Sequence, residues 1–131
     1  MSITGGCLCG GVAYELNGQL RDVVNCHCGQ CRKTHGHFAA YSSVSERDLV
    51  FKSDATLSWY ESTPGVAKRG FCAECGASLF WKPIQEPRVA VAAGSMDAPT
   101  GLRTIKHIFV DDASDYYDFT DNLEKVSASM S

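Results

Sequence analysis

The chain has 131 residues, of which 44% are hydrophobic and 21% charged; this ordinary globular composition argues against disorder and predicts one domain over residues 1–131. Its formal net charge of −3 argues against a protein that binds the phosphate backbone of nucleic acids, because such proteins carry an excess of basic residues. No apolar run approaches the roughly 18 residues that a membrane span requires, so we expect no membrane partner.

Short apolar segments separated by turns follow one another along the chain, and they predict an all-β fold. The first strand is expected at residues 12–16, where apolar residues alternate with smaller or polar ones. Further strands are expected at residues 38–44, 49–51, 56–60, 66–71, 78–81, 89–93 and 107–110. Helix is scarce, with single turns expected at residues 29–34 and 113–117.

Seven cysteines are the unusual feature of this composition, and their odd number means that disulfides cannot pair them all. The first residues contain no basic and apolar leader of the kind that directs secretion. We therefore expect a cytoplasmic protein in a reducing compartment, where structural disulfides are rare. Closely spaced thiols in such a protein are typical metal ligands, and they predict Zn²⁺ as the cofactor.

The cysteines lie in three short motifs, each of which can chelate one ion: Cys7-Leu-Cys9, Cys26-His-Cys28-Gly-Gln-Cys31 and Cys72-Ala-Glu-Cys75. The first and last motifs together supply four thiolates, which is typical of a closed structural site. The middle motif then has three ligands and an open fourth position, which is typical of a catalytic zinc. The spacing also allows a second grouping, in which one ion is bound by Cys28, Cys31, Cys72 and Cys75, and the spare cysteines are Cys7, Cys9 and Cys26.

Three longer segments resemble the glutathione-dependent formaldehyde-activating enzyme family, which also contains the centromere protein V type. They are Gly6-Cys-Leu-Cys-Gly-Gly-Val-Ala-Tyr14, Cys26-His-Cys-Gly-Gln-Cys-Arg-Lys33 and Phe71-Cys-Ala-Glu-Cys-Gly-Ala-Ser-Leu-Phe80. The resemblance implies an Mss4-like fold of several small coiled antiparallel sheets stapled by zinc. It also implies a structural zinc on Cys7, Cys9, Cys72 and Cys75, and a second zinc, responsible for the chemistry, on Cys26, Cys28 and Cys31.

The electronic character of the second site suggests what it can do. Three thiolates make zinc a poor generator of hydroxide, so a substrate thiol is a better fourth ligand than water. Bound as a thiolate, that thiol is an activated nucleophile toward a small aldehyde. The resemblance implies that the two partners are glutathione and formaldehyde, and that the protein is a carbon–sulfur lyase or synthase producing S-hydroxymethylglutathione. With only three ligands, the second zinc is expected to be labile.

Two other functions remain open at this point. The fold that the resemblance implies also occurs in non-catalytic, zinc-stabilised binding modules. It further occurs in relatives of methionine sulfoxide reductase, which would make the middle motif a set of redox thiols. The open three-cysteine site favours the enzyme or the redox protein, because a purely structural module does not need it.

Other residues have both a functional and a plainer interpretation. The histidines that could shuttle a thiol proton, or simply lie on the surface near a turn, are His27, His35 and His37. The basic residues that could receive the carboxylates of a glutathione-like thiol, or simply be solvated, are Arg32, Lys33, Lys68 and Arg69. The aromatic residues expected in the core are Phe38, Trp59, Phe80 and Trp81. His107 lies in an apolar strand and is expected to be a core histidine with its hydrogen bonds satisfied.

Overall fold

The protein is built from β-strands, as the sequence predicts, and the computed structural model describes residues 2–128. The strands are β1 (Ile3–Gly6), β2 (Val12–Leu16), β3 (Val23–Cys26), β4 (Ala39–Ser45), β5 (Leu49–Asp54), β6 (Leu57–Thr63), β7 (Ala67–Cys72), β8 (Ser78–Pro83), β9 (Arg88–Ala92), β10 (Thr104–Ile108) and β11 (Glu124–Lys125). One α-helix, α1 (Gly29–His35), joins β3 to β4 within the described residues. Short 3₁₀ turns span Glu46–Asp48, Ala93–Ser95 and Val110–Asp112.

The strands form two sheets in the described part of the chain, with the orders β1-β2-β5 and β11-β10-β3-β4-β9-β8-β7-β6. Strand β10 pairs in parallel with β3 and with β11, whereas the other pairs are antiparallel. The chain passes from the smaller sheet to the larger one in the link between β2 and β3. No helix in residues 2–128 is long and apolar enough to cross a membrane.

Some elements differ from the sequence-based expectation. Residues 113–117 were expected to form a helical turn, and this is wrong, because the 3₁₀ turn lies earlier and these residues follow it as irregular chain. Strand β3 was missed because all four of its residues are buried, so they show no alternation of apolar and polar residues. Strand β1 was missed because two of its four residues are glycines, which are uncommon in strands.

Alternation along the strands gives the larger sheet two different faces. One face packs against β2 and buries an apolar core that includes Tyr14, Phe80, Val89 and Val91. The rings of Tyr14 and Phe80 meet edge to face, with their centroids 5.5 Å apart. Full burial of an aliphatic or aromatic side chain of this size contributes about 1.5–3 kcal/mol, so this core joins the two sheets firmly.

The opposite face of the larger sheet carries a second group of buried residues. Small side chains are prominent there, with Ala39, Ala90 and Ala92 beside Tyr41 and Ile108. Because alanine side chains rise little above a sheet, they leave room for a cavity on this face. The cysteines of the middle motif border the same group.

Close packing at the edge of the core generates a prediction about Gly5. The Tyr14 hydroxyl lies 2.6 Å from Ser95 Oγ, and a Cβ added at Gly5 would stand 2.4 Å from both that hydroxyl and the Ser95 carbonyl oxygen. We expect Gly5→Ala to destabilise the protein by about 1–3 kcal/mol, because backbone and a buried ring must move. Gly94→Ala is the matched control, since a Cβ there meets nothing within 4 Å. Equal melting temperatures for the two variants would contradict the prediction.

Candidate metal centres and the adjoining cavity

Four cysteines from distant parts of the sequence meet where the two sheets adjoin. Cys7 and Cys9 lie in the loop between β1 and β2, Cys72 ends β7, and Cys75 lies in the turn before β8. Their sulfur atoms all lie within 4.8 Å of one another, with Cys9 Sγ 3.7 Å from Cys7 Sγ and 3.6 Å from Cys72 Sγ. We call these residues the four-cysteine cluster, and their arrangement can hold a metal ion.

Hydrogen bonds to the sulfur atoms favour the thiolate form at Cys72 and Cys75 in this cluster. The backbone N–H of Val12 donates to Cys7 Sγ at 3.2 Å, and that of Cys75 donates to Cys72 Sγ at 3.3 Å. The Thr56 hydroxyl and the Cys75 N–H lower the pKa of Cys72 to about 6, since both donate to its charged form. Four thiolates with such N–H···S bonds are a donor set that fits Zn²⁺ or another thiophilic ion.

The other three cysteines gather at the start of α1. Cys26 ends β3, and Cys28 caps the helix by accepting a 3.3 Å hydrogen bond from the backbone N–H of Cys31. The three sulfur atoms also lie within 4.8 Å of one another and can hold a metal ion. Hydrogen bonds from the Cys26 and Cys31 thiols lower the pKa of Cys28 to about 2, so one thiolate is already favoured. We call these residues the three-cysteine cluster.

The structure decides between the two groupings that spacing allowed. Cys72 and Cys75 lie with Cys7 and Cys9, whereas Cys28 and Cys31 lie with Cys26. The alternative, with the second and third motifs sharing one ion, is therefore wrong. The reason is topological: β1–β2 and β7–β8 are both hairpins whose turns meet, while β3 leads directly into α1.

A cavity of about 250 Å³ opens beside the three-cysteine cluster, on the alanine-rich face of the larger sheet. All three cysteines line it, together with apolar residues that include Val24, Trp81, Ala90, Ile108 and Phe109. Three arginines also line it, Arg21, Arg69 and Arg88, and its lining includes no acidic residue within the part of the chain described. A cavity with apolar walls and a few convergent polar groups is the usual form of a small-molecule site.

Arg69 connects the cavity to the cysteines. It donates from Nη2 to Gln30 Oε1 at 3.0 Å and to Cys31 Sγ at 3.6 Å, and from Nη1 to the Tyr41 hydroxyl at 3.3 Å. Gln30 in turn donates to the Ser62 carbonyl oxygen, which ties α1 to β6. The positive charge of Arg69 thus compensates negative charge on the three-cysteine cluster, and its side chain fixes the position of the helix that carries Cys31.

The candidate basic residues have different surroundings. Arg69 lines the cavity, but Arg32 donates to the Asp112 carbonyl oxygen, and Lys68 stacks over the Trp59 ring, with Nζ 4.5 Å from the centroid. Lys33 is exposed and is not among the cavity residues. Arg21 and Arg88 were missed because they lie outside the cysteine motifs. The alternation of strand β9 offered a signal, since it places Arg88 on the face opposite Val89 and Val91.

The four aromatic residues that were expected in the core have different surroundings. Phe80 is buried in the core as expected, whereas Trp59 is 38% exposed and lies against it on an edge strand. Trp81 is half-buried and lines the cavity. Phe38 packs on the ring of His27.

His27 is not a surface residue, contrary to the plainer expectation, because only 1% of it is exposed. Its Nε2 lies 2.9 Å from Nδ1 of the buried His107, whose Nε2 lies 2.9 Å from Asp121 Oδ2. The other ring nitrogen of His27 is hydrogen-bonded to the Tyr117 hydroxyl. Burial, with smaller contributions from His107 and His37, lowers the pKa of His27 to about 4.

Every ring nitrogen of the two histidines has a hydrogen-bond partner in this chain. His107 donates to the Asp121 carboxylate, and two further hydrogen bonds join His107 to His27 and His27 to the Tyr117 hydroxyl. His107 is therefore a satisfied core histidine, as the sequence predicts. The chain orients the backbone between Cys26 and Cys28 and anchors the irregular segment after residue 112 to it.

His35 generates a prediction about pH. Its Nε2 lies 2.8 Å from the Tyr41 hydroxyl, and burial, followed by the charge of Arg69, lowers its pKa to about 4. Between about pH 6.5 and pH 4 the unfolded chain therefore binds a proton that folded His35 does not, so this residue makes stability fall as the pH falls. His35→Gln removes that contribution.

We expect the melting temperature of the wild type to drop more than that of His35→Gln over this range, and the difference between them to be constant above it. Protonation of the cysteine clusters affects both proteins alike and cancels in the comparison. A difference that does not change between pH 7 and pH 4 would rule the interpretation out.

Comparisons with known proteins agree with this architecture. The family described as "Glutathione-dependent formaldehyde-activating enzyme" matches residues 2–112. The crystal structure of a protein from Rhodobacter sphaeroides is similar over 72% of this chain and 88% of that one, with a TM-score of 0.59 and 29% sequence identity. The family match spans both cysteine clusters and ten of the eleven strands in residues 2–128. The chain therefore belongs to the glutathione-dependent formaldehyde-activating enzyme family.

Proposed function

We propose that this protein is a zinc-dependent carbon–sulfur lyase or synthase that acts on a thiol–aldehyde adduct, with glutathione and formaldehyde as its reactants. One observation carries the proposal: the cluster with only three cysteines, and not the complete set of four, lines the 250 Å³ cavity with its arginines. Membership of this family supports glutathione and formaldehyde as the two reactants. The proposed thiolate chemistry suits the reducing cytoplasm expected from the sequence.

Cys7, Cys9, Cys72 and Cys75 would hold a structural zinc, and Cys26, Cys28 and Cys31 would hold the second one. Zinc bound by three thiolates supplies a positive centre that keeps a substrate thiol ionised at neutral pH. In the reaction a carbon–sulfur bond forms between the substrate sulfur and the carbonyl carbon of formaldehyde. The carbon–oxygen double bond becomes a single bond, the thiol proton is lost and the oxygen gains one, which leaves the hemithioacetal S-hydroxymethylglutathione.

The residues of this chain would orient the reactants for that step. Apolar residues form much of the cavity wall beside the cysteines, and Arg69 holds Cys31 and α1 in place. The Tyr41 hydroxyl lines the same cavity, and burial raises the pKa of Tyr41, so its proton is retained at neutral pH. This hydroxyl lies 2.8 Å from His35 Nε2, and the hydrogen bond orients it beside the cavity.

Metal content tests the assignment of the two sites. We expect wild-type protein to bind two zinc ions, with the ion at the three-cysteine cluster lost first to EDTA because it has fewer ligands. Cys75→Ser should lower both the zinc content by one and the melting temperature, since metal binding at a structural site is part of the folding free energy. Cys28→Ser should also lower the zinc content, but it should lower the melting temperature less than Cys75→Ser does.

Elemental analysis and thermal melts measure both quantities on the same samples. Two equally inert zinc ions, or Cys75→Ser with full zinc and unchanged melting, would contradict the assignment. The two serine variants are matched controls for each other, because each removes one thiol from one cluster.

Thiol binding tests the proposed chemistry. In protein reconstituted with Co²⁺, we expect glutathione to change the thiolate charge-transfer band, and Cys28→Ser to abolish that change. The zinc protein should then form S-hydroxymethylglutathione faster than the uncatalysed reaction does, as followed by NMR. Cys75→Ser is unsuitable as a control here because it alters folding, so Arg103→Gln, at an exposed position outside the cavity, serves instead.

The two steps can fail separately. Absence of any cobalt response to glutathione would overturn the catalytic assignment and favour a zinc-stabilised binding module. A cobalt response without acceleration would leave the thiol site standing and reject the reaction with formaldehyde.

A further inference from the structure

The charges around the cavity are not balanced. Arg69 is compensated by the three-cysteine cluster through its contact with Cys31, but Arg21 and Arg88 do not contact a cysteine within residues 2–128. Arg21 donates to two carbonyl oxygens, those of Asp22 at 3.1 Å and Tyr41 at 2.8 Å, which orient the guanidinium without neutralising it. Uncompensated positive charge in a sheltered site is costly, so an anionic ligand there is favoured.

Arg88 faces the same space from the neighbouring strand. Its Nε donates to Glu86 Oε1 at 2.9 Å, but that carboxylate is more than half exposed and therefore screened by water. Its guanidinium lies over the Trp81 ring, 5.7 Å from the centroid. Burial, followed by the positive charge of Arg88, lowers the pKa of Arg21.

The two arginines lie at the end of the cavity away from the cysteines. Both also line an open groove with Gln19, Leu20 and Ser43, so they stand where the cavity meets solvent. A ligand entering from the groove would pass them before reaching the sulfur atoms. This places a positive group at one end of the cavity and a thiol-binding group at the other.

The strand register sets the separation of the two ends. Cys26 pairs with Ala39 on β4, and the Arg21 guanidinium bonds to the carbonyl of Tyr41, two residues further along that strand. At about 3.4 Å per residue, the Arg21 guanidinium lies about 7 Å along the sheet from the backbone of Cys26. The backbone of Arg88 lies farther away, opposite Ser45 on β4, and its side chain extends over the Trp81 ring. A cysteine residue followed by one more extended residue covers a similar distance.

We propose that Arg21 and Arg88 form a carboxylate-binding subsite, which makes the cavity select thiols that carry a carboxylate one residue beyond the sulfur-bearing residue. The inference rests on the proposed function for the thiol end and extends it with two specificity-determining residues. Guanidinium groups suit this role because they form paired, charge-assisted hydrogen bonds with a carboxylate. Glutathione satisfies the requirement through its glycine carboxylate.

The carboxylate subsite can be tested without a thiol. S-methylglutathione keeps the carboxylate but has a thioether in place of the thiol, and its glycine ethyl ester removes that carboxylate charge. Trp81 reports binding because Arg88 stacks on it, and Trp59→Phe removes the emission of the other tryptophan. Fluorescence titration of the zinc protein in this background gives the affinity for each ligand.

We expect the acid to bind about tenfold more tightly than the ester, which is the size of effect typical of one hydrogen bond to a charged group. Arg88→Gln and Arg21→Gln should each abolish this preference by weakening the acid, with the ester changed less than about twofold. Arg88→Gln keeps the test decisive if Arg21→Gln folds poorly, and Arg103→Gln should retain the full preference.

Equal affinities for acid and ester in the parent protein would overturn the inference, as would an unchanged preference in Arg88→Gln. Neither result depends on thiol coordination, whereas the cobalt spectrum reports only that coordination. A preference for the acid without a cobalt response would therefore support the subsite and reject the proposed chemistry. A cobalt response without a preference for the acid would support the proposed thiol chemistry and reject the carboxylate subsite.

Discussion

The alternation of side chains along the strands of the larger sheet is the constraint on which the rest of this structure depends. On β9, Val89 and Val91 join the apolar core, so Arg88 and Ala90 must face the opposite side. A shift of one residue in register would bury Arg88 in the core and expose the valines. Because burying an arginine and exposing two valines is unfavourable, only the observed register is stable. In that register Arg88 lines the cavity.

The same constraint explains why the cavity exists beside one cluster. The core face is filled by large side chains such as Tyr14 and Phe80, whereas the opposite face has alanines at its centre. Protein interiors are normally close-packed, so space of this kind requires small residues and polar groups that stay solvated or paired. Arg69 meets the second requirement by bonding to Gln30, Tyr41 and Cys31 at once.

Much of the candidate site could be predicted from the sequence because closely spaced thiols are typical metal ligands. The cysteine motifs and the all-β fold depend on local patterns, whereas β1, which precedes Cys7, and β3, which carries Cys26, were missed. The choice between the two groupings of cysteines does not depend on local patterns, since it depends on which hairpin turns meet. Arg21 gave no signal because it precedes a strand with no alternation. The alternation of β9 indicates the face on which Arg88 lies, but only long-range pairing places that face beside the cysteines.

The chain of hydrogen bonds through the histidines has a consequence for where this folding unit ends. The family match stops at residue 112, yet the buried ring of His27 uses Tyr117, and His107 uses Asp121. A fragment ending at residue 112 would leave both rings without those partners, directly beside Cys26 and Cys28. The folding unit defined by these hydrogen bonds therefore extends beyond the residues that match the family. In this protein the segment after residue 112 supplies hydrogen-bond partners to buried histidines within the family match.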